Sequence, residues 1–194
     1  MTKTHYIACY GDSLIQGFPF SSAYSWVTVA EKEAGGAFRM LNYGLCGDAT
    51  DDILYRMRQY DLPDYVHNAL FLGGANDIIQ GRKCESILRT LEQVYATSKE
   101  KKLRLAFVLP FISTERALNA MLESLRASIV ERFSARTFIL DLQPAIGLTA
   151  GDRYKAYVDG IHPKAATYEA MGRYAAPLLA KWLAEGAEGQ EDAR

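Results

Sequence analysis

The feature that most constrains this chain is a set of five short apolar runs, Tyr6–Tyr10, Phe38–Asn42, Ala69–Leu72, Leu103–Leu109 and Thr137–Leu142. They are near-continuous rather than alternating, the pattern of strands buried on both faces. Between them lie segments of helical spacing. Ser22–Ala34 puts Trp26, Val29 and Ala30 on one side, and Asp51–Tyr60 groups Ile53, Leu54 and Met57, with Thr50 or Asp51 as the expected N-cap. Glu85–Lys101 aligns Ile87, Leu88, Leu91 and Val94–Tyr95, and Thr114–Phe133 aligns Leu118, Met121, Leu122, Leu125 and Ile129. Lys164–Leu183 aligns Met171, Leu178, Leu179 and Trp182, and Pro177 is expected to kink or divide that helix.

Strands alternating with helices predict a three-layer α/β/α domain over a five-stranded parallel sheet with right-handed crossovers. In such sheets ligands bind beyond the carboxyl ends of the strands, where the strand order switches. Residues that do chemistry should therefore follow strands. With 194 residues, no internal repeat and no composition break, residues 1–185 are expected to form one domain, with 186–194 a frayed acidic tail.

Charge and cysteine content narrow the partners. Net charge is −1 and the basic residues are scattered, so nothing points to nucleic acid or an anionic membrane. No stretch approaches a membrane span, and the apolar N-terminal stretch is too short for a signal-peptide core. Cys9, Cys46 and Cys84 are odd in number and lack metal-ligand spacing, so neither a zinc site nor a disulfide framework is expected. A cytoplasmic location follows as the default. Oligomeric state is left open.

Four motifs occupy the loops. Gly11-Asp12-Ser13-Leu14 follows the first run, and Asn42-Tyr43-Gly44-Leu45-Cys46-Gly47-Asp48 follows the second. Gly73-Gly74-Ala75-Asn76-Asp77 follows the third, and Asp159-Gly160-Ile161-His162-Pro163 precedes the last helix. A serine hydroxyl needs a base to take its proton as it attacks, and His162 can be that base for Ser13. Asp159, three residues upstream, can fold back to orient the imidazole. Pro163 suits the first position of the following helix. Charge that develops on a substrate carbonyl needs donors, and the candidates are the N–H groups of Ser13 and Gly47 and the Asn76 amide.

Each residue has a plainer reading. Ser13 could only cap a turn, Gly47 could only make one, and Asn76 could only satisfy a buried backbone group. Asp64-Tyr65-Val66-His67 repeats the Asp-x-x-His spacing. However, His67 and His5 both precede strands, at the far edge from Ser13, which leaves His162. Asp12, Asp48 and Asp77 are read as loop-stiffening hydrogen-bond acceptors rather than as a glycosidase-like pair. Cys46 is read as small-residue packing and Trp26 as core, while Phe18, Phe20 and Phe111 are candidate walls of a substrate cleft.

Together the four blocks resemble the SGNH superfamily of hydrolases, the GDSL esterases, over residues 6 to about 175. The resemblance implies a flavodoxin-like fold, a Ser13–His162–Asp159 triad and an oxyanion hole of Ser13, Gly47 and Asn76, with neither cofactor nor metal. It implies a small-molecule ester as substrate and hydrolysis through an acyl-enzyme. It also admits a thioesterase or lysophospholipase acting on longer chains, a sugar O-acetylesterase, an acyltransferase using the same triad, or a non-catalytic binding module.

Overall fold

The structure, a computed structural model, describes residues 4–191 and the side chains of residues 4–186. Strand β1 (His5–Gly11) runs into helix α1 (Ser13–Gln16), followed by a single 3-10 turn (Ser22–Tyr24) and α2 (Trp26–Glu33). Then come β2 (Phe38–Gly44), α3 (Thr50–Gln59), β3 (Asn68–Leu72), α4 (Ala75–Ile79), α5 (Cys84–Glu100) and β4 (Arg104–Val108). The chain continues through α6 (Arg116–Phe133), β5 (Phe138–Leu140), α7 (Gln143–Ile146), α8 (Ala150–Ala156) and α9 (Ala165–Glu191).

All five strands are parallel, in the order β2-β1-β3-β4-β5. This is the expected flavodoxin-like three-layer arrangement, and its order reverses between β1 and β3. Gly11 is in register with both Gly44 and Leu72, so three strands end level at the switch point. The near-continuous apolar runs are explained by the two faces they serve. Ile7 and Cys9 face a core completed by Trp26, Val27, Tyr168, Met171 and Leu179. Ala8 and Tyr10 face another, completed by Ile53, Met57, Ile87, Leu91, Leu125 and Phe133. Alternate residues of one strand thus serve opposite layers.

Several boundaries differ from expectation for local reasons. The segment read as one helix from Ser22 to Ala34 is broken at Ser25. Its Oγ accepts from the Val27 N–H at 3.2 Å and donates to the Ile15 carbonyl at 2.7 Å, starting α2 afresh. The N-cap of α3 is Ala49 rather than Thr50 or Asp51. Thr50 instead donates its N–H and hydroxyl to Asp77, at 2.8 and 2.7 Å. Pro177 does not divide α9, which runs unbroken through it. Both Pro177 and Arg173, whose carbonyl would have bonded the missing N–H, are exposed, so water can satisfy that carbonyl. The same helix continues to Glu191, and residues 192–194 of the expected tail lie outside the described residues.

Candidate active site

Ser13 sits at the sharp junction of β1 and α1. Asp12 caps α1, its Oδ1 accepting the Leu14 N–H at 2.9 Å, and Gly17 closes the helix with φ 98°. A four-residue helix has no stability of its own, so its placement must come from outside. Trp26 Nε1 donates to the Leu14 carbonyl at 3.1 Å, and Ser25 Oγ and Asn42 Nδ2 both donate to the Ile15 carbonyl. Trp26 is fully buried, in agreement with its core reading. As the first residue of the helix, Ser13 has no intrahelical acceptor for its own N–H, which therefore stays available.

His162 and Asp159 lie on a tight loop closed by an antiparallel bridge between Tyr157 and Pro163. The Val158 N–H donates to the His162 carbonyl at 2.8 Å, and Gly160 turns the chain at φ 92°. Pro163 is not the first residue of α9, which begins at Ala165. It stands in the bridge, whose bonds come from the N–H groups of Val158 and Lys164, so its missing donor costs nothing there. Asp159 Oδ1 accepts from the N–H groups of Ile161 and His162 at 3.0 and 2.8 Å. Its Oδ2 lies 2.7 Å from His162 Nδ1, and His162 Nε2 lies 3.0 Å from Ser13 Oγ. With a hydrogen on Nδ1 directed at the carboxylate, the Nε2 lone pair faces the serine hydroxyl. Burial alone would raise the Asp159 pKa, but the His162 and Ile161 N–H groups and the imidazole together hold it below the usual carboxylate range.

The other two motifs follow β2 and β3, the two strands that flank β1. Gly47 turns at φ 87°, a left-handed conformation that favours glycine, and no hydrogen bond among the described residues engages its N–H. Asn76, in the first turn of α4, donates from Nδ2 to the Asp48 carbonyl at 2.8 Å. The backbone-satisfying reading of Asn76 thus describes one amide hydrogen, and no hydrogen bond among the described residues engages the second. Cys46 is not a packing residue. It is exposed, with its N–H bonded to Gln16 Oε1 at 2.7 Å. Partial desolvation and the nearby Asp12 raise its side chain's pKa, so it is held as a thiol rather than a thiolate.

The three aspartates beside these motifs act as internal acceptors. Burial pushes Asp12 up to about 7, against the lowering effect of the Leu14 N–H, with Asp77 and Asp48 adding to the rise. Fully buried Asp77 binds Thr50 and also Arg82 Nη1 at 2.7 Å, and Asp48 pairs with Arg56. Neither arginine is singled out by sequence motifs. The usable signal for Arg56 is a charge beside Ile53 and Met57 on the buried face of α3. His67 directly precedes β3 and His5 begins β1, which places both at the amino edge, away from Ser13.

The three candidate wall residues part ways. Phe18, half-exposed, sets its ring edge-on to the His162 imidazole with centroids 4.7 Å apart, and Tyr168 Oη holds its carbonyl at 2.8 Å. Phe20 instead meets Tyr24. Phe111 is buried and lines a narrow apolar cleft with Leu14, Ala75, Ile78, Leu122 and Ile161. Leu14, Ala75 and Ile161 are the immediate neighbours of Ser13, Asn76 and His162. Among the described residues no group of three or more His, Cys, Asp or Glu side chains could hold a metal ion, and no helix is long and apolar enough to cross a membrane.

Comparison with known proteins fits this fold. The profile of the GDSL-like Lipase/Acylhydrolase family matches residues 9–170. No curated protein matches in sequence. Among solved structures, the lipase/acylhydrolase from Enterococcus faecalis is 18% identical, with a TM-score of 0.74 over 92% of this chain and 96% of that one. The psychrotrophic esterase EstA from Pseudoalteromonas sp. is 17% identical, with a TM-score of 0.73 over 92% and 98%. A carbohydrate acetylesterase family member from Sinorhizobium meliloti is 18% identical, with a TM-score of 0.70 over 93% and 100%. At such identities the likeness to these structures is one of fold.

Proposed function

The chain belongs to the GDSL-like lipase/acylhydrolase family and is a carboxylic ester hydrolase; from that premise we propose that it cleaves small esters through an acyl-enzyme on Ser13. The observation that carries the reading is the continuous relay from Asp159 Oδ2 through His162 to Ser13 Oγ, with links of 2.7 and 3.0 Å. Ser13 Oγ attacks the ester carbonyl as His162 Nε2 takes its proton. Asp159 stabilises the imidazolium, and the N–H groups of Ser13 and Gly47 with the free Asn76 amide hydrogen bind the oxyanion. His162 then protonates the departing alcohol. Water, deprotonated by the same nitrogen, attacks the acyl carbonyl, releases the acid and restores Ser13.

The cleft favours a short acyl group. It is apolar, begins beside Ser13, and has room for little more than a water molecule between α4 and α6. An acetyl group, from a simple ester or an acetylated sugar, asks little of so narrow a cleft, while a long chain must spread the lining side chains of α4 and α6 apart. Turnover of p-nitrophenyl esters should be highest for acetyl and butyryl and fall sharply at octanoyl. Ser13→Ala should abolish turnover of p-nitrophenyl acetate and covalent labelling by a fluorophosphonate. Wild-type activity in that variant would exclude Ser13 as nucleophile, and a palmitoyl optimum would exclude the short-chain assignment. Product analysis with a competing alcohol separates hydrolysis from acyl transfer.

A further inference from the structure

The turn carrying Gly47 is oddly placed for a catalytic element. Leu45, Cys46 and Gly47 are all exposed, so hydrophobic packing does not fix their backbone. What holds the turn is polar. The Leu45 N–H donates to the Gly11 carbonyl at 3.0 Å, and the Cys46 N–H donates to Gln16. Asp48 is tied on both sides, its carbonyl accepting from Asn76 and its carboxylate from Arg56.

Arg56 is the hub of this arrangement. Its Nε and Nη2 lie 2.7 and 2.6 Å from Asp48 Oδ2. Its Nη1 donates to the Tyr43 carbonyl at 2.6 Å and its Nη2 to the Gly11 carbonyl at 2.9 Å. One guanidinium thus joins the end of β1, just before Asp12-Ser13, to the end of β2 and to the residue after Gly47. Its backbone is anchored in turn, since Ile53 and Met57 of α3 are fully buried. The side chains of Arg56 and Asp48 are only 12% and 13% exposed, so water competes weakly for either. A planar fork with five donors can satisfy three acceptors at once, whereas a lysine ammonium on the same helix can reach fewer of them.

We infer that Arg56 is a positioning residue for the oxyanion hole, holding the Gly47 N–H and, through Asp48, the Asn76 amide at fixed distance from Ser13. This rests on the reading of Ser13, Gly47 and Asn76 given above. It assigns Arg56 no contact with substrate. Its effect must therefore appear where charge develops on the carbonyl oxygen and be absent where a neutral ligand of the same shape binds.

The test compares wild type, Ser13→Ala, Arg56→Ala, Arg56→Lys and Asp48→Asn, with variants that keep Ser13 normalised by fluorophosphonate active-site titration. Inhibition is measured with an alkyl trifluoromethyl ketone, which forms a tetrahedral oxyanion on serine, and with the matching methyl ketone, which binds as the neutral ketone. Arg56→Ala is expected to lower kcat/KM for p-nitrophenyl acetate by roughly 10- to 100-fold per titrated site, less than or comparable to the loss of a whole donor. The trifluoromethyl ketone should weaken by the same factor and the methyl ketone should not, with Arg56→Lys between Arg56→Ala and wild type. If Arg56→Ala does not fold, Arg56→Lys and Asp48→Asn carry the same comparison. Unchanged kcat/KM, or equal weakening of both ketones, overturns the inference while leaving an inactive Ser13→Ala to support the reading beneath it. An active Ser13→Ala overturns both.

Discussion

At the scale of single residues, the carboxylates around Ser13 are tuned in opposite directions. Asp159, bonded to two N–H groups and the imidazole, is held ionised below the usual range. Asp12, one residue before Ser13, is fully buried and pushed up to about 7. In the unfolded chain an aspartate releases its proton near pH 4, whereas folded Asp12 keeps it to about pH 7. Between those values the native state holds one more proton than the unfolded state. Stability from this group therefore declines as pH rises through the window, by at most ~1.4 kcal/mol per pH unit. Asp12→Asn retains an oxygen to accept the Leu14 N–H and so preserves the cap of α1, but it cannot titrate. Urea unfolding at intervals from pH 4.5 to 7.5 should give wild type a more negative slope of stability against pH than the variant. Parallel slopes would show that Asp12 titrates as an ordinary carboxyl.

At the scale of elements, the position of Ser13 depends on how closely β2 approaches α1. A Cβ added at Gly44 would collide with the backbone of Gln16 and Ile15, which no rotamer change can relieve. Gly44→Ala should therefore cost ~2–4 kcal/mol of stability and displace α1, lowering activity per folded molecule. Gly151, in α8, is the matched control. The nearest atom to an added Cβ there is Thr149 Oγ1 at 3.9 Å, so Gly151→Ala should be neutral or gain ~0.5–1 kcal/mol. Denaturant midpoints decide both, and a Gly44→Ala protein as stable as wild type would mean that the β2–α1 contact can yield.

The same elements mark what was legible before the structure. The five strands and the long helices could be read because burial on two faces or on one stripe leaves a period in the sequence. Helices α1, α4, α7 and α8 left none, being four to seven residues long and held by caps and tertiary bonds. The order of Ser13, Gly47, Asn76 and His162 along the chain was visible as motifs beside strand ends. Arg56 and Arg82 were not, because their carboxylate partners come from other segments and no spacing rule joins them. Cys46 was misread for a related reason: its turn is held by Gln16, distant in sequence, and leaves the side chain exposed.

At the scale of the whole molecule, the proposed triad joins the most protected part of the fold to one of the least. Ser13 follows β1, the middle of three strands that end level, with both faces covered. His162 and Asp159 follow α8, in which Ala156 is the one buried residue. Ala156 and Tyr157 alone tie its end to the apolar core, and the rest of the hold on this segment is a short set of polar links, among them Tyr157 Oη to the Ile112 carbonyl and Thr167 Oγ1 to the Ala156 carbonyl, each at 2.7 Å. Few buried apolar contacts and many exposed backbone bonds define a segment that opens at low free energy. Amide exchange across residues 148–156 should therefore be faster than in β1 and β3 by on the order of 100-fold or more. The consequence for the proposed mechanism is that opening of this segment removes His162 and Asp159 together while Ser13 stays seated in the core. Esterase activity should then be lost on heating some degrees before the loss of near-ultraviolet circular dichroism from the buried aromatic core. Protection in α8 equal to that of β1, or coincident loss of activity and core packing, would mean that the base loop and the sheet unfold as one unit.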